Sequence, residues 1–366
     1  PARAAPADGR CGMSDKTLKL TPEERLLLTA SPHLKSPDST PRIIWNVVGS
    51  LVPIVLVAIY YFGPSAILVM GAAILGAMGT EWLFGPKKSL WDGSAAITGI
   101  LLALCLPAGF PLWMAFLGGA FGVAFGKLVF GGLGQNPFNP ALVGRAFLQA
   151  AFPTAITTWP STEMSWGAIR GANFAVPLWT GEPGADVVTA ATPLGDWKFD
   201  GIGYWNMEDA SDLWQLMMGN TGGSLGETAG ILILVCGGYL ALRRYLNWRI
   251  PGGIFVTVVV FSEILYLING EAFPPPFFML FSGGLMLGAM YMATDLVTSP
   301  VTNLGAWIFA GGIGVLVVLI RVWGGLPEGV MYAILLMNAL VPFIDRATQP
   351  RVFGHTPPEK GKEAVA

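Results

Sequence analysis

IIWNVVGSLVPIVLVAIYY, Ile43–Tyr61, is a run of nineteen residues without a formal charge. About 20 consecutive apolar residues cross the hydrocarbon core of a bilayer as a helix, so this run reads as a membrane span. Nine more apolar runs follow, at about 65–84, 94–107, 112–130, 140–152, 229–242, 252–269, 275–293, 303–320 and 329–344. The fold class they predict is an all-α polytopic membrane protein of about ten transmembrane helices. Runs 94–107, 140–152 and 229–242 are too short for an upright span. They are expected to be broken or re-entrant, which is tolerated only where protein or a cavity satisfies the backbone. Composition agrees: 53% of the 366 residues are hydrophobic and 12% charged, half the charged fraction of a typical soluble domain, which is about 25%.

Loop charges orient the chain. Lys87 and Lys88, then Arg243, Arg244 and Arg249, then Arg346, Arg351, Lys360 and Lys362 fall on one side of a ten-span arrangement. The basic leader before Ile43 shares that side, and Arg321 is the exception. Basic loops face the cytoplasm, which places both termini there. The interval 153–226 then lies outside, between the fifth and sixth helices. It is mostly acidic, carries Trp159, Trp166, Trp179, Trp197, Trp205 and Trp214, and is far longer than an ordinary connector. The expected organisation is a cytoplasmic segment 1–42, a five-helix half 43–152, the outer loop 153–226, a second half 227–345 and a cytoplasmic tail 346–366. Residues 1–12, ahead of Met13, read as an upstream extension. Thr21-Pro22-Glu23-Glu24 marks a helix start, so 13–42 is either a surface helix or a polar leader.

Several chemistries are excluded. A net charge of −2 gives no basic footprint for nucleic acid. Cys11, Cys105 and Cys236 are far apart, and His33 and His355 sit near the ends, so neither a metal site nor a histidine triad is expected. No catalytic residue is expected either.

Three features carry chemistry. The first is DVVTAATPL, Asp186–Leu194, small residues and hydroxyls running into a proline within the outer loop: an exposed turn whose last threonine is open to modification. The second is GGLGQNPFNP, Gly131–Pro140, followed by Arg145. Its prolines block regular helix, and Asn136 and Asn139 are suited to bond freed backbone groups. Arg145 either holds a phosphate or anionic flavin, or belongs to a structural helix break at the cytoplasmic interface. The third is the set of charges within or beside the spans. Glu263, mid-run, is a candidate for ion handling or for a structural hydrogen bond. Glu81, Lys127, Asp295 and Asp345 lie near run ends, and Glu81 with Asp92 could line a cytoplasmic ion entrance. Phe116–Gly119 (FLGG) and Phe281–Gly284 (FSGG) each lead to a proline loop, through internal duplication or chance similarity.

In combination, GGLGQNPFNPALVGR (Gly131–Arg145), WDGSA (Trp91–Ala95), TAATPL (Thr189–Leu194), GSLGET (Gly223–Thr228) and MATDLVTSP (Met292–Pro300) resemble the RnfD family of Rnf electron-transport subunits. NqrB of the sodium-pumping NADH:quinone reductase is a close relative. The likeness runs from about Ser31 to Arg346. It implies FMN attached through a phosphoester by a flavin transferase, on the final threonine of a motif like D-x-x-[ST]-G-A-T. That motif maps onto Asp186, Thr189 and Thr192, with Ala190 where glycine is usual. Asp186 would help position the metal-bound donor. The resemblance also implies a bacterial inner-membrane component of an ion-translocating ferredoxin:NAD oxidoreductase, a translocase inactive alone, with other Rnf subunits and membrane lipid as partners. It leaves open a second, non-covalent flavin such as riboflavin, and Na+ against H+. The alternatives are an NqrB-type subunit feeding quinone and, from another class, a secondary transporter or channel without redox function.

Overall fold

The computed structural model describes residues 38–86, 89–159, 169, 171–175, 192–200, 210–219, 222–227 and 230–350. The proposed helix start at Thr21, the tail beyond Pro350, and Asp186 and Thr189 lie outside the described residues.

Among the described residues every regular element is helical. The first half holds α1 (Thr40–Phe62), α2 (Pro64–Phe84), α3 (Ser94–Leu104), α4 (Leu112–Val123), α5 (Pro140–Ala151) and the short α6 (Pro153–Ile156). Between the halves lie α7 (Pro193–Asp200) and α8 (Ala210–Met218). The second half holds α9 (Gly230–Leu242), α10 (Arg249–Ile268), α11 (Pro276–Phe281), α12 (Leu285–Leu287), α13 (Asn303–Trp323) and α14 (Val330–Thr348). These elements belong to one unit that begins at Thr40.

Among the described residues five helices, α1, α2, α10, α13 and α14, are long and apolar enough to cross a membrane. Ser94–Leu104, Leu112–Leu128 and Gly230–Leu242 are shorter apolar helices. The twelve residues of α5 reach about 18 Å, well under a ~30 Å core. The runs that were too short in the sequence are short or interrupted helices in the fold.

The halves repeat one packing plan. α2 packs chiefly on α4 and on α3, while α10 packs chiefly on α13 and on α11. α4 leans on α5 as α13 leans on α14. This register sets α4 against α13. The similarity of FLGG to FSGG would instead set α4 against α11, so those two motifs do not mark equivalent helices.

Glycine permits the closest contact. A Cβ on Gly76 of α2 would run into the Phe116 carbonyl of α4, and one on Gly119 of α4 into the Ala73 carbonyl of α2. Helices in lipid gain from such approach, because packing rather than water exclusion holds them together. Gly119→Ala is expected to lose about 1–3 kcal/mol, as overpacked cores do. Thermal unfolding in detergent reads the loss, and an unchanged midpoint would contradict this contact.

Both halves interrupt their third apolar run. After α3 the chain is non-helical through Cys105–Pro111. Leu225 and Gly226 donate to the carbonyls of Leu106 (3.0 Å) and Leu104 (2.6 Å). The buried Asn173 amide donates to those of Ala108 (3.0 Å) and Phe110 (3.1 Å). In the second half α11 stops at Ser282-Gly283-Gly284, and there charged side chains close the gap. Arg321, fully buried, donates to the Met279 carbonyl at 2.5 Å and the Ser282 carbonyl at 2.8 Å. Glu328 accepts from the Gly284 amide at 2.9 Å. Unpaired backbone groups are costly away from water, so these bonds are what allow helices to stop here.

Candidate functional site

Two cavities flank α5. One, of about 490 Å3, is lined by residues that include Arg145, Trp159, Thr192, Phe199, Glu328 and Tyr332. The other, of about 440 Å3, is lined by residues that include Ser94, Lys127, Asn136, Asn139, Tyr291 and Asp295. Both volumes are ordinary for small-molecule sites.

Thr192 caps α7. Its Oγ1 accepts from the Gly195 amide at 3.1 Å, and its carbonyl accepts from the Asp196 amide at 2.9 Å. Pro193 follows at the first helical position, where its missing N–H is no loss. The hydroxyl therefore sits at a helix N-terminus, where negative charge is stabilised. Lys198 anchors the other end of α7. Its ammonium donates to the carbonyls of Ile320 (3.3 Å), Arg321 (2.8 Å) and Leu326 (3.0 Å), around the C-terminus of α13. Burial lowers the Lys198 pKa, yet a cation suits that helix end.

Opposite Thr192 lies a charged cluster. Arg145 of α5 is buried and ion-paired with Glu328, in the turn between α13 and α14. Burial disfavours the Glu328 charge, but Arg145, Glu227 and the Gly284 amide outweigh it and hold the carboxyl down at about 2. Glu227, hydrogen-bonded to Glu328 and to Ser224 at 2.9 Å, behaves oppositely. Burial, then the neighbouring Glu328 charge, pushes it well above the usual carboxylate range. Gly283, at φ +65°, keeps the gap open, since a Cβ there would lie 2.9 Å from Glu328 Oε1 and 3.1 Å from an Arg321 nitrogen. Arg145 Nε is buried without a hydrogen-bond partner among the described residues.

The second cavity begins at the opposite end of α5. Asn139 caps that helix, accepting from Ala141 (3.0 Å) and Leu142 (3.4 Å), and donates to the Met292 carbonyl at 3.1 Å. Asn136 bonds the Phe138 carbonyl at 3.2 Å and the Asp295 carboxylate. Beside them Lys127 sits in a π-helical turn, Ala124–Leu128, that ends α4. Its ammonium reaches Glu81 and Ser94 Oγ, both at 2.5 Å. Asp92 accepts from the Ser94 amide at 2.9 Å and from its hydroxyl at 2.6 Å, and Ser89 bonds both Glu81 and Asp92.

The structure thus divides the residues singled out in the sequence. Arg145 joins Thr192 in one cavity; Asn136 and Asn139 line the other, near Glu81 and Asp92. Glu263 joins neither and is exposed on α10. Sequence reasoning assigned nothing to Glu227, Glu328 or Lys198. Arg321 did leave a signal: it was the exception to the charge pattern of the short connections, and it is needed inside the fold.

Long apolar helices together with shorter, interrupted ones define a multi-pass membrane protein. The chain belongs to the NQR2, RnfD, RnfE family, whose model matches residues 27–354. It is 39% identical to the D subunit of the proton-translocating ferredoxin:NAD(+) oxidoreductase complex of Clostridium ljungdahlii, over 89% of this chain and 96% of that one. It is 40% identical to the D subunit of the ion-translocating oxidoreductase complex of Stutzerimonas stutzeri, over 90% and 96%. It is 37% identical to the D subunit of the Na(+)-translocating ferredoxin:NAD(+) oxidoreductase complex of Acetobacterium woodii, over 93% and 99%.

Proposed function

We propose that this chain is the flavin-carrying membrane component of an ion-translocating ferredoxin:NAD oxidoreductase, with FMN esterified to Thr192. The observation that carries the reading is the placement of Thr192: its hydroxyl stands at the start of α7, on the wall of a 490 Å3 cavity that Arg145 also lines. The names of the relatives favour ferredoxin and NAD over the quinone-linked alternative.

The residues present fit FMN. The α7 N-terminus favours the single negative charge of a phosphodiester, and the Gly195 amide already points at the threonine oxygen. Trp159, Phe199 and Tyr332 offer faces for a flat ring system, and the buried Arg145 that lines the same cavity offers a cation to an anionic group. Lys198 holds α7 rigid against α13. Bound there, FMN would supply one-electron transfer between neighbouring redox centres. The protein's part is to orient it and set its electrostatic surroundings. Asp186 and Thr189 enter this reading as recognition residues for the flavin transferase. The Asn139 cavity, apolar with a few convergent polar groups, is the place for a second, non-covalent flavin such as riboflavin.

In this reading the chain spans a bacterial inner membrane ten times with both termini cytoplasmic. Thr192 lies on the outer side and Glu81, Asp92 and Lys127 near the inner one. Other Rnf subunits cover part of its surface, including the face of α10 that carries Glu263.

The test is to produce the chain with and without a flavin transferase and run it under denaturing conditions. Flavin fluorescence should stay with the polypeptide only when the transferase is present. A non-fluorescent chain from transferase-containing cells would overturn the proposal.

A further inference from the structure

We infer that Glu227 and Glu328 form a proton-binding pair behind the Thr192 cavity, which shares one proton at rest and takes up a second when negative charge enters the cavity, releasing Arg145 toward that charge. The cavity's ligand is taken from the reading above; the resting proton is independent of it.

The geometry carries this. Two carboxyl groups in hydrogen-bond contact cannot bond unless one holds a proton. The acceptor is Glu328, because Arg145 and the Gly284 amide already favour its ionised form. The donor is Glu227, whose further side-chain partner among the described residues is the neutral hydroxyl of Ser224. The polar groups that face the pair come from every element packed on it. Arg145 comes from α5, Arg321 from α13, Ser224 from the segment before α9, and Cys105 from the stretch after α3. The cluster therefore holds two guanidinium groups against one resting carboxylate.

Glu328 and Arg145 line the cavity, whereas Glu227 is not among its lining residues. A negative charge arriving beside Arg145 competes with Glu328 for the guanidinium and raises the affinity of Glu328 for a proton. One proton then binds one Glu328 oxygen, the ion pair to Arg145 opens, and the charge of the cluster rises by one. Nothing is oxidised or reduced within the protein; each negative charge in the cavity is matched by one proton taken up. A redox group on Thr192, reduced by dithionite, would deliver that charge. The pair would then make proton uptake follow reduction at this site.

Infrared spectroscopy on the full chain in detergent reads the protons directly. At neutral pH the resting protein should show the carbonyl stretch of a buried carboxylic acid, sensitive to D2O. Glu227→Gln should lose it while keeping a hydrogen-bond donor to Glu328. Glu328→Gln should lose it too, because Glu227 then ionises against Arg145. The same band is expected in Thr192→Val, which carries no flavin, so a failed attachment site leaves this result intact. On dithionite reduction of the flavin-loaded protein a second acid band should appear, and Glu227→Gln, which has no resting band, should gain it as Glu328 takes up its proton. A resting band that survives in Glu227→Gln, or no resting band in the parent chain, would overturn the pair. A resting band with no second one on reduction would overturn the uptake.

Discussion

Lys127→Met is expected to destabilise the protein by about 3–5 kcal/mol, the usual cost of stranding one partner of a buried ion pair. Lys127 is 2% exposed and Glu81 is fully buried. Glu81 Oε1 takes the ammonium at 2.5 Å, while Oε2 has no hydrogen-bond partner among the described residues. Without Lys127 the carboxylate keeps, among the described residues, only the Ser89 hydroxyl, and it must either stay charged in an apolar setting or bind a proton. The double substitution Glu81→Gln with Lys127→Met removes both charges and should recover most of the loss, since paired apolar replacement of buried ions is often neutral or stabilising. Thermal unfolding in detergent, followed by tryptophan fluorescence, measures both. If the single and double variants melt together, the pair does not bear the cost assigned to it.

The second large effect is all-or-none. Thr192→Val removes the only oxygen on that side chain and should abolish covalent flavin, leaving a chain that still folds. The structural loss is confined to one cap. The Gly195 amide loses its acceptor, which costs helix N-termini about 1 kcal/mol. Lys198 still fastens α7 to the end of α13 through three carbonyls. The expected result is therefore a non-fluorescent band of normal yield and nearly normal melting. A variant that keeps its fluorescence would move the attachment elsewhere.

The local part of this fold was legible in the sequence. Asn139, read as able to bond backbone groups freed beside the prolines, does so in the structure by accepting from Ala141 and Leu142 at the start of α5. Runs 94–107 and 140–152 were too short to cross a membrane, and they fold as short helices beside satisfied breaks. What escaped was long range. Arg145 and Glu328 lie 183 residues apart, and nothing near Glu328 in LPEG (Leu326–Gly329) marks it as more than a turn acid. Glu227 stood inside GSLGET, but its role depends on the backbone of Leu104 and Leu106, to which that segment is bonded. Asn136 and Asn139 were grouped with Arg145 because they share one loop and helix. A helix separates its ends, and α5 delivers them to different cavities.

Thr192 is, on this account, where the chain carries its flavin. Trypsin should release one peptide, Gly171–Lys198, from protein made alongside a flavin transferase. Mass spectrometry of that peptide should show the addition of FMN less one water, with fragment ions placing it on Thr192. An unmodified peptide, or FMN on Thr189 instead, would contradict the account.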